Sequence, residues 1–166
     1  MRISVRNAKD PTLIKLLKMA CKYYASILMS KQLIKNLDIS IYVHNTLDAG
    51  GFCYSIDDGR KQRTFNIELC RTKKKLNMLR ILAHEMVHVK QYAKNELRET
   101  SHRRRPVTSW YGVIYDHNIF YWDQPWEIEA YGHENRLLVK FLLEYNQFKE
   151  LKVNKKNWFI EDDNQN

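Results

Sequence analysis

From Leu76 to Lys94 the chain reads as one helix that is apolar on almost every side. Met78, Leu79, Ile81, Leu82, Ala83, Met86, Val87, Val89 and Ala93 are spread right round the wheel. A helix with no wettable face must be enclosed by other layers of the same chain, so this segment belongs at the centre of whatever the sequence folds into. With 166 residues there is enough chain to enclose it. A domain of about 150 residues buries roughly 70% of the surface its unfolded state exposes, and needs neither disulfides nor a structural metal to do so. One stripe breaks the apolar surface: Asn77, Arg80, His84, His88 and Gln91. Polar groups carried into a core cost free energy unless they find partners, so the stripe requires a polar cavity, a hydrogen-bond network or a metal ion.

The flanking sequence supplies the enclosing layers. Asp10-Pro11 places an N-cap residue before a proline at the first helical position, and Leu13, Leu16, Leu17, Ala20, Tyr24, Ile27 and Leu28 keep helical spacing. This predicts a helix from Pro11 to Asn36. Its other face carries Lys15, Lys18, Lys22 and Lys31, either a solvated face or a contact for a polyanion. Ile39, Ile41 and Val43 alternate with Ser40 and Tyr42, as a half-buried first strand does. Phe52, Tyr54 and Ile56, then Phe65, Ile67 and Leu69, form two limbs about Asp58-Gly59 and predict a β-hairpin. Beyond the central helix, Val107 to Trp110 and Val113 to Tyr115 flank Tyr111-Gly112, which suits another hairpin or a long loop. Asp123 is placed to cap a last helix from Gln124 to about Leu151, with Pro125 in its first turn. The tail Glu161 to Asn166 is acidic and reads as disordered, leaving residues 1–160 as one domain.

Within the central helix, His84-Glu85-Met86-Val87-His88 is an H-E-x-x-H. Residues four apart on a helix project about 40° apart, so both imidazoles can reach one zinc ion (Zn2+), and Glu85 sits beside them where it can take a proton from water. A catalytic zinc commonly has three protein ligands. His102, His117, Glu127, Glu129 and Glu134 are the candidates for the third. On the last helix Trp126, Ala130, Leu137, Phe141, Tyr145 and Phe148 define the apolar face, Glu129 falls on the opposite side, and Glu127 and Glu134 lie within the inward face. Glu127, in the first turn, suits a cavity mouth; Glu134, nearly two turns on, suits holding a histidine or Arg80 in place.

These residues resemble the small gluzincin-type metallopeptidases, including phage and bacterial SprT-like and minigluzincin domains. The likeness rests on the H-E-x-x-H and on Pro125-Trp126-Glu127-Ile128-Glu129-Ala130-Tyr131, and covers about Ile39 to Leu143. It implies an α+β, zincin-like fold: a small, mainly antiparallel sheet with an N-terminal helix, the H-E-x-x-H helix and a C-terminal helix. It implies zinc held by His84, His88 and Glu127, with Glu85 as general base in peptide-bond hydrolysis. SprT-like proteases proper use a third histidine, for which His117 is the local match. Many gluzincins carry Asp or Asn where this chain has Tyr131. The resemblance also offers Thr64 to Cys70 as the sheet edge for a peptide or protein substrate, and Tyr111, Tyr115, His117 or Tyr121 as the group that stabilises an oxyanion.

The balance of 28 Lys+Arg against 19 Asp+Glu gives a net charge of +9, which attracts polyanions. Arg103-Arg104-Arg105, with Trp110, Tyr111 and Tyr115 nearby, suits single-stranded nucleic acid gripped by charge and stacking. A nucleic-acid-associated protein, and a structural or virion protein with a dormant zinc site, are therefore the competing classes. Retention of Glu85 beside both histidines favours the enzyme. Cys21, Cys53 and Cys70 are far apart and form no C-x-x-C, which suits a reducing compartment. Lys15, Lys18 and Lys22 interrupt every apolar run near the N-terminus, so neither a signal peptide nor a membrane span is expected, and the expected location is cytoplasmic, in a host cell or a particle assembled there.

Overall fold

The computed structural model describes residues 1–147 and 151 apart from 60, 73, 103, 104 and 117, and for 100–102, 105 and 106 it describes the backbone alone. The architecture is α+β. The first strand, β1 (Arg2–Arg6), was not expected from the sequence, because Arg-Ile-Ser-Val-Arg is short and charged at both ends. Such residues suit a sheet edge, and Arg2 pairs with Asp38 at 2.7 Å. The helix expected from Pro11 to Asn36 is divided into α1 (Pro11–Leu28) and α2 (Lys31–Lys35). Asp10 caps the first by accepting from the Thr12 amide at 2.9 Å; Met29 is extended, and Ser30 starts the second by accepting from the Leu33 amide at 3.4 Å. Serine serves a helix better at its N-cap than in its interior, which explains the break.

The chain then forms β2 (Asp38–His44), β3 (Gly51–Ser55) and β4 (Thr64–Cys70), in a four-stranded sheet of order β1-β2-β4-β3. The expected mainly antiparallel sheet is corrected here: β2 runs parallel to both β1 and β4, and only β3 is antiparallel to its neighbour. The α1–α2 segment is the crossover that parallel β1 and β2 require. Chain leaving β2 lays β3 at the edge, and the return limb β4 inserts between them. The expected hairpin therefore forms, but Thr64–Cys70 is an inner strand and the edge is Gly51–Ser55. Its loop is longer than Asp58-Gly59 alone, closed by the Asp57 carboxylate accepting from the amides of Arg63 and Thr64. Phe52 and Tyr54 stand opposite Glu68 and Asn66, so they share the outer face and not that of Phe65, Ile67 and Leu69.

The central helix, α3 (Lys75–Ala93), is buried at every residue from Leu82 to Ala93. It packs against α1, β3 and β4 and, among the elements that follow it, against the first strand and the last helix. Those elements are β5 (Leu97–His102), β6 (Arg105–Trp110) and β7 (Val113–Tyr115), a separate antiparallel sheet, and then α4 (Pro125–Glu144). β6 and β7 are the hairpin expected about Tyr111-Gly112, whose φ angles of 48° and 84° are those of a two-residue turn with both central residues left-handed. Asp123 does not cap α4. It closes a 3-10 turn, Tyr121–Asp123, and Gln124 occupies the cap position without a side-chain bond. α4 stops at Glu144, followed by Asn146 at φ 50°, a residue that tolerates the left-handed conformation at a helix end. The expected continuation through 148–150 and the tail from Glu161 lie outside the described residues.

Leu17, Tyr24, Ile41, Ile67, Leu82 and Phe141 are fully buried members of one core cluster drawn from α1, the four-stranded sheet, α3 and α4. Each such side chain contributes roughly 1.5–3 kcal/mol relative to exposure. No helix of the described residues is long and apolar enough to cross a membrane.

Candidate metal centre

Helical spacing places His84 and His88 one turn apart on α3, and the first turn of α4 brings Glu127 against them. The two Nε2 atoms are 3.2 Å apart; Glu127 Oε2 lies 3.2 Å from His84 Nε2 and Glu127 Oε1 lies 3.3 Å from His88 Nε2. All three residues are buried, and they form a cluster that could hold a metal ion.

The far side of each ring faces another polar group. His88 Nδ1 is 2.8 Å from Gln91 Oε1, while the Gln91 amide nitrogen donates to the Trp126 carbonyl and to Glu129 Oε2, both at 2.9 Å. With the amide oriented by those two acceptors, its oxygen faces the imidazole, so His88 carries its proton on Nδ1 and turns the Nε2 lone pair toward the cluster. His84 Nδ1 lies 3.3 Å from Glu134 Oε2 in a geometry short of a hydrogen bond, and Glu134 approaches Arg80 at 4.0 Å.

The charge in this pocket calls for a cation. Burial works against a protonated His84, yet Glu127 and Glu134 beside it raise its pKa to about 9. Burial likewise opposes ionisation of Glu127, but the imidazoles of His84 and His88 beside it outweigh that and lower its pKa. A proton thus stabilises the position where two imidazole nitrogens and a carboxylate converge, and a divalent ion accepted by the same donors would do so more strongly.

Glu85, 4% exposed, is pushed up to about 7 by burial, with His88 and His84 pulling the other way. Its carboxylate lies against Gly51 of β3: a Cβ there would come within 2.8 Å of Glu85 Oε1 and 2.7 Å of Ile81 Cγ2. Sequence reasoning does not single out Gly51. The only signal for it is the Gly50-Gly51 pair at a strand start, which marks a close approach without saying to what. The resulting cleft, about 320 Å³, is lined by Gly51, Cys53, Glu85, His88, Tyr121 and Glu127 among others.

Of the four groups considered for oxyanion stabilisation, Tyr121 is at the cleft. Its hydroxyl donates to Glu127 Oε2 at 2.7 Å, and burial, with Tyr131 and Glu127 beside it, raises its pKa and keeps it a donor. Tyr111 is 61% exposed, Tyr115 packs edge-on to Trp126, and His117 lies outside the described residues, as do Arg103 and Arg104. Nothing is described of the side chains of His102 and Arg105. Tyr131 covers His84, with ring centroids 4.5 Å apart, and the carboxylate facing His84 comes from Glu134 instead.

Glu129 is a correction. It does not point away from the core but grips α3, bonding Lys90 at 2.6 Å as well as Gln91, and Lys90 also pairs with Glu96 at 2.7 Å. The wheel sorted residues by α4 alone and could not see the polar flank of α3 beside it. Glu129 therefore acts on the centre through Gln91. Replacing Gln91 by Leu is expected to weaken metal affinity about 10- to 100-fold, the usual effect of losing a partner that orients a ligand. Competition with a chromophoric chelator measures this; unchanged affinity would show that His88 needs no such partner.

No family model matches the chain, and no curated protein or solved structure matches it.

Proposed function

We propose that the protein is a zinc-dependent metallopeptidase with a zincin-like fold, in which His84, His88 and Glu127 hold the ion and Glu85 is the general base. The observation that carries this reading is the convergence of the two Nε2 atoms and the Glu127 carboxylate, with a buried glutamate next to them and an open strand edge alongside. Two histidines and a glutamate are a donor set of catalytic zinc sites that keep a position for water or substrate. Zinc bound there supplies Lewis acidity toward a scissile carbonyl and brings the pKa of water to about 7.

Glu85 takes the proton of the attacking water and passes it to the departing amine nitrogen, so the carboxylate is regenerated each cycle. Tyr121 turns its hydroxyl proton from Glu127 to the carbonyl oxygen as negative charge develops there. The edge of β3, Gly51–Ser55, unpaired on one side among the described residues, offers backbone donors and acceptors to an extended peptide, the role that the resemblance implied for Thr64–Cys70. Close passage of β3 over Glu85 aligns that peptide with the base. Gly51→Val is accordingly expected to keep zinc but cut hydrolysis at least tenfold, since the new side chain must displace either the carboxylate or the strand. Undiminished turnover would mean that Glu85 does not work from this position.

The reading is tested by metal analysis of protein purified without added zinc, with about one ion per chain expected. Hydrolysis of unfolded casein should stop on chelation and return with zinc. Zinc-loaded protein that cleaves neither casein nor a DNA-bound protein, with or without single-stranded DNA, would be a dormant metal protein instead.

A further inference from the structure

A cavity of about 490 Å³, larger than the cleft at the metal centre, is lined by Asn7, Lys9, Val43, His44, Asn45 and Arg71. These residues lie at or just beyond the ends of β1, β2 and β4, which run parallel, so the cavity sits where three strands finish on the same side of the sheet. Chain segments diverge there, and in open sheets with parallel strands this is the position where ligands collect. The walls are tied to the strand ladder. The Arg71 amide donates to the His44 carbonyl at 2.7 Å, and its guanidinium donates to the Asn7 carbonyl at 3.1 Å, with Asn7 held at φ 59°.

The lining contains cations and amides but no carboxylate. Two acids close by in the chain are engaged elsewhere: Asp10 by Lys75 at 3.1 Å and the Thr12 amide at 2.9 Å, Glu68 by His44 at 3.4 Å and the Tyr54 hydroxyl at 3.0 Å. Among the described residues neither Lys9 nor Arg71 forms an ion pair. Lys9 and Arg71 are both exposed on the cavity wall, and an anion seated there would be attracted by both. α1 begins two residues after Lys9, and along it Lys15, Lys18 and Lys22 line a second hollow with Ile14 and Met19. From Lys15 to Lys22 the helix rises about 10 Å. Along the chain the positive charge of Lys9 is thus followed by a row of charge of the same sign on α1.

We propose that this cavity is a phosphate-binding site, distinct from the metal centre, and that it seats a backbone phosphate of a nucleic-acid strand that runs on over Lys15, Lys18 and Lys22. Anisotropy of a labelled single-stranded oligonucleotide tests this, with inorganic phosphate and a nucleoside monophosphate as competitors. Lys9→Glu combined with Asn45→Asp is expected to weaken oligonucleotide binding at least tenfold at low salt without changing metal content; both side chains are exposed. Changing Lys15, Lys18 and Lys22 to Ala should weaken it further and flatten the salt dependence by about 0.7 in log–log slope for each phosphate that is no longer neutralised. If the small phosphates bind the cavity while the lysine variant holds the oligonucleotide like the parent, the ligand is a free phosphorylated molecule and the track along α1 is overturned. Oligonucleotide and phosphate binding untouched by Lys9→Glu with Asn45→Asp, loss only on changing Arg103, Arg104 and Arg105, or no binding of either probe would each overturn the site.

Discussion

Glu85→Gln is expected to lower peptide hydrolysis ~100- to 10,000-fold while zinc content and fold remain those of the parent, the range that general acid–base catalysis contributes. The amide has the shape of the carboxylate, so it fits the space against Gly51 that a Cβ would close. Burial already disfavours the charged form of Glu85, so a neutral replacement costs the fold little. What the amide lacks is a site that can accept water's proton, so the loss falls on kcat and not on KM. Single-turnover cleavage with metal analysis on the same sample separates this from loss of the ion. A reduction below tenfold with zinc in place would remove Glu85 from the role of base.

His84→Ala and His88→Ala are each expected to abolish stoichiometric zinc, because a two-ligand remnant does not retain the ion against a chelator. Glu127→Gln should follow them, while Glu129→Gln should lose much less, since Glu129 reaches the centre only through Gln91. The consequence for stability is large. At free zinc 1,000-fold above Kd the bound ion stabilises the native state by about 4 kcal/mol. The parent should therefore melt at a lower temperature in chelator, and the histidine variants should show no difference with and without it. Full zinc in the His84→Ala, His88→Ala double variant would overturn the site, and loss of zinc on Glu129→Gln equal to that on Glu127→Gln would overturn the choice of third ligand.

Much of the site was legible because it depends on spacing along one helix. An i, i+4 pair of histidines and a polar stripe in an otherwise apolar segment are local patterns, and helix geometry turns them into positions in space without knowledge of the rest of the chain. The same holds for Glu127 and Glu134, which a wheel on α4 turns inward together, and for the two-residue turn at Tyr111-Gly112. Where a local rule met a competing local rule the expectation failed in detail, as at Ser30, which ended one helix by capping the next.

Sequence by itself therefore determined the direction of side chains along single helices, with His84 and His88 on one face, Glu85 beside them and Glu127 facing inward, though it turned Glu129 outward. Only tertiary structure decided what each of them meets. Strand order depends on pairings between residues far apart in the chain, so the sequence could not tell that β4 would be enclosed and β3 left as the edge, nor that Arg2–Arg6 would pair with Asp38–Tyr42. The approach of Gly51 to Glu85, the grip of Glu129 on Lys90 and Gln91, and the meeting of segments after β1, β2 and β4 in one basic cavity have the same origin. Periodicity fixes the direction of a side chain from its own backbone, whereas a contact requires two backbones, and their relative placement is set by the packing of the whole core.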